Sequence, residues 1–319
     1  GMCLTLAYAS SIGGIATPIG TGPNVLAIGM LEERLGEHFG FARWMAFALP
    51  TSCAMITIAL VIATRRFRAP VQRLEGLAVE VQRQLAALGP MHAAERRALL
   101  IFALAITGWL APSILQLALG DTHPITLRAI ALLDEGVVAI ACASLLFFLP
   151  GRPNDDGPRT LVTWEDARSV DWGTLLLLGG GLALGRLTFE TGLAEAIGRG
   201  ALHALGPLAA SPTGLMICAV ALILVLTEVT SNTAVTSMML PVLIGIAQAA
   251  GFDPVPTSVL ATMAASFAFM LPVSTPPNAM AYGTRMIRVE SMIAFGIRLD
   301  ALGFVVLALV GTLLLPLVS

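Results

Sequence analysis

The sequence predicts an all-α integral membrane protein, and three observations lead to that fold class. Of its 319 residues, 56% are hydrophobic and only 12% are charged, about half the charged fraction of a soluble globular protein. Several segments stay apolar over about 20 residues, the length that crosses the hydrocarbon core as a helix. Proline, glycine and polar residues interrupt some of these segments at their centres. A cytosolic enzyme and a disordered chain are therefore excluded. The net charge of −2 also excludes a nucleic-acid-binding protein.

The first half of the chain predicts four spans and one surface helix. The spans are expected at 3–31, 42–64, 98–119 and 125–149. Between the second and third spans, over 65–97, apolar residues recur at helical spacing among arginines and glutamates. That pattern predicts an amphipathic helix that lies on the membrane surface.

The second half follows a polar linker at 151–171, which divides the chain in two. It contains a glycine-rich span at 172–197 and a long apolar stretch at 213–250 with a polar insert at its centre. An interrupted segment at 255–287 and a last span at 292–318 complete the chain.

The arginines orient these spans, and the chain contains no lysine. They cluster after the second span, after the fourth span and between the last two spans, so these regions are expected to be cytoplasmic by the positive-inside rule. With that orientation, the stretch 213–250 must enter and leave the membrane from the outside face. It is therefore expected to form a re-entrant helical hairpin with Ser231–Thr233 at its tip. Irregular backbone at membrane depth is tolerated only where it is buried in protein or lines a cavity.

Two interrupted spans share one motif. Thr21–Asn24 and Thr275–Asn278 both read Thr-x-Pro-Asn between apolar arms. Proline ends the preceding helix, so each span is expected to be two half-helices that meet at an unwound loop. Because the two copies cross the membrane in opposite directions, they predict inverted-topology repeats. Such paired breaks indicate the binding site of a transporter.

The breaks also suggest what such a site would bind. Carbonyl and hydroxyl oxygens freed at a break suit a small hard cation such as sodium, and amide groups at half-helix N-termini attract an anion. No arginine lies in either break or at the hairpin tip. We therefore expect neutral dipoles and bound cations to hold the anion, which would make anion affinity depend on the cation.

At these residues the chain resembles the divalent-anion/sodium symporter family, whose members carry di- and tricarboxylates or sulfate. The resemblance rests on "TEVTSNTA" followed by "LPVSTPPNAMAYG", and on "SIGGIATPIGTGPN", and it covers nearly the whole chain. It implies sodium-coupled symport of a small divalent anion, most simply a C4-dicarboxylate, with no cofactor besides the coupling ion. It also implies a multi-pass protein of the bacterial inner membrane.

The resemblance implies a division of labour along the chain. The broken helix at 1–31 and the second repeat at 172–319 would form an inverted-repeat transport domain that moves in an elevator-like way. The spans and surface helix at 32–150 would form a scaffold, through which the family makes homodimers in the lipid bilayer, and 151–171 would be a cytoplasmic linker.

The family pattern also implies two groups of site residues. Substrate contacts are expected from Ser231, Asn232, Thr233, Thr275, Pro276, Pro277, Asn278, Thr21 and Asn24. Sodium ligands are expected from Thr227, Thr230, Asn232 and Ser274 at one site, and from Gly20 and Thr21 at the other.

Two departures from the family pattern stand out. Gly22 replaces a usual proline and is expected to loosen the first break. The hairpin and spans that precede the first break in the family are absent, so the chain is expected to be a C-terminal fragment that is inactive alone. A sodium-independent dicarboxylate exchanger or a sulfate transporter of the same family stays an alternative. A membrane enzyme is disfavoured, because HExxH and GxSxG motifs are absent.

Charged residues inside predicted spans have two interpretations each. Asp134 and Glu135 could form a proton relay or, as we favour, a polar contact within the bundle. Arg186 and Glu190 are spaced to pair on one helix face. Glu228 could either tune the cation site or anchor the hairpin tip.

Overall fold

A computed structural model describes residues 1–36, 39–67, 76–120, 122–151, 159–206 and 211–318, and these are almost entirely helical. The first helices are α1 (Met2–Gly14), α2 (Gly22–Leu35), α3 (Phe41–Arg66), α4 (Leu77–Leu88), α5 (Ala93–Leu119), α6 (Pro124–Leu132) and α7 (Glu135–Leu146). After them come α8 (Trp164–Arg168), α9 (Trp172–Glu190), α10 (Leu193–Leu205), α11 (Pro212–Val229), α12 (Asn232–Ala249), α13 (Pro254–Ala265), α14 (Pro276–Gly283) and α15 (Val289–Val318).

Six of the described helices are long and apolar enough to cross a membrane, namely α3, α5, α9, α11, α12 and α15. A seventh span is possible if the bent pair of α6 and α7 counts as one. The predicted all-α integral membrane fold is therefore confirmed. The chain divides into two compact units, which are described separately. The first is Gly1–Phe39, Arg43–Phe67 and Trp172–Ser319, and the second is Gly40–Ala42 with Arg68–Asp171.

The first unit is built around α13, every residue of which is buried. Helices α11, α12 and α15 pack against it. Glycines let the surrounding helices approach closely: a Cβ at Gly181 of α9 would meet Ser237, and a Cβ at Gly198 of α10 would meet the backbone of Gly245. Small residues at helix contacts are typical of membrane proteins. Gly181 and Gly185 of α9 therefore serve helix packing, whereas Gly179 and Gly180 face open space.

In the second unit, the predicted fourth span is two helices. α6 ends at Leu132, α7 begins at Glu135, and the pair is bent by 61°. The break arises because the Asp134 carboxylate caps α7, accepting hydrogen bonds from Gly136 N at 2.9 Å and Val137 N at 3.1 Å. Trp109 Nε1 donates to the Glu135 carbonyl at 3.0 Å. The Glu135 carboxylate accepts from Phe41 N at 3.3 Å. Both acidic side chains thus bind backbone amides, which agrees with a polar contact within the bundle rather than a proton relay.

Other predicted segments differ in their bounds. The glycine-rich span is shorter than expected, because α9 ends at Glu190 and Gly192, with φ of +71°, separates it from α10. Arg186 pairs with Glu190 at 2.7 Å, as predicted.

Helix α4 occupies the middle of the predicted surface helix and exposes Val79 and Leu88. Parts of that helix and of the linker, 68–75 and 152–158, lie outside the described residues.

Candidate functional site

The two breaks have nearly the same local structure. α1 ends at Gly14 and α2 begins at Gly22, while α13 ends at Ala265 and α14 begins at Pro276. Thr21 and Thr275 are the N-cap residues, both extended, with φ of −144° and −142°. A proline follows in the first turn of each helix, where its missing N–H costs nothing. The shared motif therefore encodes two equivalent helix starts.

The asparagine of each motif closes the break behind it. Asn24 and Asn278 are fully buried, and each directs its side-chain amide group to backbone carbonyls of the preceding loop, which no longer have a partner within a helix. Asn24 Nδ2 donates at 2.8, 3.3 and 3.4 Å to the carbonyls of Thr17, Gly14 and Ile15. Asn278 Nδ2 donates at 2.9 and 3.1 Å to the carbonyls of Ala268 and Leu271.

This geometry differs from the roles predicted for Asn24 and Asn278. Both were expected to contact substrate, but neither lines the cavity described below. The physical reason is the same in both repeats: the amide hydrogens are directed at loop carbonyls, and the whole side chain is buried beneath the helix start. These asparagines hold the loops in shape.

The predicted hairpin is two helices, α11 and α12, joined at Thr230 and Ser231. Near this tip three oxygens converge. The Thr227 hydroxyl oxygen lies 2.7 Å from Asn232 Oδ1 and 2.6 Å from the carbonyl oxygen of Ala265, where α13 ends. One hydroxyl proton can satisfy only one of these acceptors. An oxygen cluster short of protons suits a hard cation.

A second connection joins the tip to the same break. Glu228 is only 2% exposed. Its Oε1 accepts hydrogen bonds from Phe269 N at 2.6 Å and Met270 N at 3.1 Å. The Ser274 hydroxyl lies 2.8 Å from the Glu228 carbonyl oxygen and 3.1 Å from its Oε2. Of the two roles considered for Glu228, these contacts therefore support the anchoring of the hairpin tip.

A cavity of about 380 Å³ lies where the tip and both breaks meet, within the first unit. That volume is in the range of small-molecule sites. The predicted site residues that line it are Gly20, Thr21, Ser231, Asn232, Thr233, Ser274, Thr275, Pro276 and Pro277. Thr227 and Thr230 do not line it: Thr227 is buried behind the tip, and Thr230 is exposed at the end of α11.

Some lining residues were not predicted. Ser10 and Ser11 of α1 and Thr174 of α9 face the cavity, as does Ser266 at the end of α13. The hydroxyl oxygens of Ser266 and Thr21 are 3.5 Å apart, so the two breaks touch. Adjacent serines in an apolar helix are a signal that could have identified Ser10 and Ser11. Ser266 is far from the motif in sequence, and only the folded chain brings it close.

The charge distribution of the cavity is unusual. None of the described residues that line it carries a charge. Instead, the N-cap residues of three helices line it, namely Thr21 of α2, Ser231 of α12 and Thr275 of α14. Helix N-termini carry partial positive charge, and unpaired amide groups wherever the first residues are not prolines. α14 begins with Pro276 and Pro277, which have no N–H, so the helix dipole and the Thr275 residue itself face the cavity there. The convergence of the three N-termini makes a site for an anion without any cationic side chain.

Gly22 has a specific steric role in this cavity. A Cβ at this position would lie 2.9 Å from Thr233 Oγ1. The glycine therefore makes room for a hairpin-tip side chain against the first break. It does more than loosen the loop, which was its predicted effect.

Broken helices, a helical hairpin and an uncharged cavity at their junction are the features of a membrane-transporter fold. The profile of the family described as sodium:sulfate symporter transmembrane region matches residues 1–319. The chain therefore belongs to this family and is a multi-pass protein of the cell membrane. The predicted resemblance is confirmed, and the family is one of transporters rather than enzymes.

Two curated relatives are similar over almost the whole chain. Both are called sodium-dependent dicarboxylate transporter SdcS, one from Staphylococcus saprophyticus and one from Staphylococcus aureus strain MRSA252. Each is 34% identical, over 316 and 318 residues respectively, which is 99% of this chain. The chain spans 59% of the length of each relative. These matches do not by themselves support the expectation that the chain is an inactive fragment, which stays a prediction.

Proposed function

We propose that the protein is a sodium-coupled symporter of small divalent anions of the C4-dicarboxylate class that works by alternating access. The observation that carries this proposal is the convergence of three helix N-termini on a cavity with no charged lining residue. The oxygen cluster directly behind that cavity would be the cation site that a sodium-coupled transporter needs beside its anion site. The names of the two relatives support both the ion and the class of substrate.

The anion would be held by neutral groups. Amide and hydroxyl groups at Thr21 belong to the first repeat, and those at Thr275 belong to the second. Ser231, Asn232 and Thr233 contribute from the hairpin tip. Because α2 and α14 start in the two different repeats, each can face one end of an anion with two carboxylates. A dicarboxylate would therefore bridge the repeats.

Sodium would be held beside the anion at the second break. Thr227 and Asn232 supply two oxygens there, and the freed carbonyl of Ala265 supplies a third. Thr230, at the hairpin tip, and Ser274, whose hydroxyl lies 2.8 Å from the Glu228 carbonyl oxygen, complete the predicted set. At the first break we propose a second sodium site, to which Gly20 and Thr21 contribute. No nitrogen or sulfur ligand is needed, as a hard cation prefers.

Sodium binding and anion binding would be coupled because the two sites share a residue. Asn232 belongs both to the oxygen cluster and to the cavity lining, so a cation at the cluster fixes a group that the anion contacts. The positive charge of that cation also compensates the charge of the dianion, which no side chain of the cavity does. The anion is therefore bound well only when sodium is bound.

The test is uptake of labelled succinate, citrate and sulfate into proteoliposomes that contain the full product of the gene, with sodium or choline outside. We expect succinate uptake that requires sodium and exceeds sulfate uptake. Equal succinate uptake in choline would instead indicate the sodium-independent exchanger, and preferred sulfate uptake would indicate the sulfate transporter. Asn232→Ala should abolish uptake, while the exposed control Gln84→Ala should not change it.

We also propose that the described helices of the second unit belong to a scaffold that forms a homodimer. Large apolar side chains such as Leu117, Leu132 and Phe148 are more than two-thirds exposed there, so they need lipid or protein cover. Light scattering of the detergent-solubilised protein, corrected for bound detergent, should give twice the chain mass. A monomer mass would contradict the dimer.

A further inference from the structure

Glu228 is a carboxylate in the interior of a membrane protein, and the site as proposed so far does not use its charge. It lies in the last turn of α11, next to Thr227, and is 2% exposed. Among the residues that the structure describes, no arginine or histidine forms an ion pair with it. A buried charge without compensation is costly, so a reason for its presence is needed.

Hydrogen-bond donors surround the carboxyl group of Glu228. Its two oxygens accept hydrogen bonds from the amides of Phe269 and Met270 and lie within reach of the Ser274 hydroxyl. A carboxylate is an acceptor only, and all three neighbours are donors. These bonds hold the negative charge at one place, behind the loop that leads to Thr275.

A second carboxyl group lies beside it. Both carboxyl oxygens of Asp300, on α15, are buried, and its carboxyl group lies within hydrogen-bonding reach of the Glu228 carboxyl group. A hydrogen bond between two carboxyl groups needs a proton on one of them, so the pair carries one negative charge. The nearby Tyr8 hydroxyl, from α1, donates to the carbonyl of Met292 at 3.4 Å. The interior behind the second break therefore holds one buried negative charge, with which no described arginine or histidine forms an ion pair.

We propose that Glu228 makes anion binding conditional on sodium by its charge. This inference rests on the proposed function. Without a cation, the Glu228 charge opposes a dianion in the adjacent cavity. With sodium at the cluster of Thr227, Asn232 and the Ala265 carbonyl, that charge is compensated and the opposition disappears. Glu228 is thus a positioning residue that acts through the cation and the loop and touches no substrate.

The charge can be separated from the anchoring role by substitution. Glu228→Gln keeps the size of the side chain and the oxygen that accepts from Phe269 and Met270, but removes the charge. Glu228→Asp keeps the charge and shortens the side chain. A purely structural role predicts that the shorter side chain is the more damaging. An electrostatic role predicts that loss of charge alone changes the ion dependence.

The experiment measures succinate uptake against sodium concentration in proteoliposomes with the full gene product. We expect Glu228→Gln to raise the sodium concentration for half-maximal uptake about tenfold or more, as loss of a nearby buried charge implies, and to create uptake in choline that the unchanged protein lacks. Glu228→Asp should keep the strict sodium requirement. The exposed control Glu290→Gln should behave as the unchanged protein.

The possible outcomes distinguish this inference from the proposed function. Sodium-independent uptake by the unchanged protein would defeat the proposed function itself. A sodium-dependent unchanged protein whose Glu228→Gln variant keeps its sodium half-saturation within twofold would overturn only the role of Glu228. If Glu228→Gln does not reach the membrane, Glu228→Asp decides: uptake of succinate in choline by that variant would overturn the inference, because its charge is retained.

Discussion

The two broken helices of this protein share a backbone design but differ in what holds them. Each begins its second half-helix with a threonine at the N-cap position, a proline and an asparagine that binds the loop carbonyls. The Thr275 hydroxyl accepts from Asn278 N, whereas Thr21 makes no such side-chain bond. The second break is then joined to the hairpin tip by Thr227 and Glu228. The first break is instead held from α3, where Trp44 Nε1 donates to the Ile15 carbonyl at 2.9 Å.

This difference shows which part of the design is structural and which part is functional. The caps and asparagines recur in both repeats, because every broken helix must satisfy its free backbone groups. The oxygen cluster and the buried carboxylate occur at the second break, where the hairpin supplies them. In the described chain, cation chemistry is therefore better developed at the second break than at the first.

The asparagines should give the largest effect, and it should be similar in the two repeats. Asn24→Ala leaves the Gly14 carbonyl without a described donor, and Asn278→Ala does the same to the Ala268 carbonyl. The other carbonyls keep a donor, so each substitution costs roughly 1–3 kcal/mol for one unsatisfied group. We expect a clear loss of thermal stability in detergent and loss of uptake for both. A variant at one position that stays as stable as the unchanged protein would show that the two breaks are not built alike.

Threonine substitutions should separate the breaks. Thr227→Val removes the hydroxyl of the oxygen cluster at nearly constant volume, and a lost bond to a charged group is worth about 1.5–3 kcal/mol. We expect at least about a tenfold rise in the sodium concentration for half-maximal uptake. Thr21→Val, at the first break, should change it less. A larger rise for Thr21→Val than for Thr227→Val would contradict this difference between the two breaks.

Glycine substitutions should sharpen the comparison within the first break. A Cβ at Gly20 would collide with the carbonyl oxygen of Gly14, which is backbone, whereas a Cβ at Gly22 would meet only the side-chain hydroxyl of Thr233, which a change of χ1 can move away. Gly20→Ala should therefore cost about 1–3 kcal/mol of stability, as overpacking does. Gly22→Ala should leave the melting temperature nearly unchanged and raise the KM for succinate a few-fold. Equal melting temperatures for both variants would refute this account of the loop.

Much of this architecture could be predicted from the sequence, because caps, prolines and apolar length act locally. The helix starts at Thr21 and Thr275 and the hairpin tip at Ser231 were identified from their motifs. The direction of the asparagine side chains could not be, since it depends on loop carbonyls that come together only on folding. The contact between Glu228 and the second break joins residues about 40 positions apart. The break before Asp134 was not predicted, because the segment is apolar over the length of a span and one capping residue is a weak signal.

The central claim is that this cavity binds a dianion only when sodium compensates the charge around it. Equilibrium binding of labelled succinate to the purified full gene product, in sodium and in choline at equal ionic strength, tests that claim directly. Saturable binding in sodium that is at least about tenfold weaker in choline is the predicted result. Equal affinity in the two salts would contradict the account.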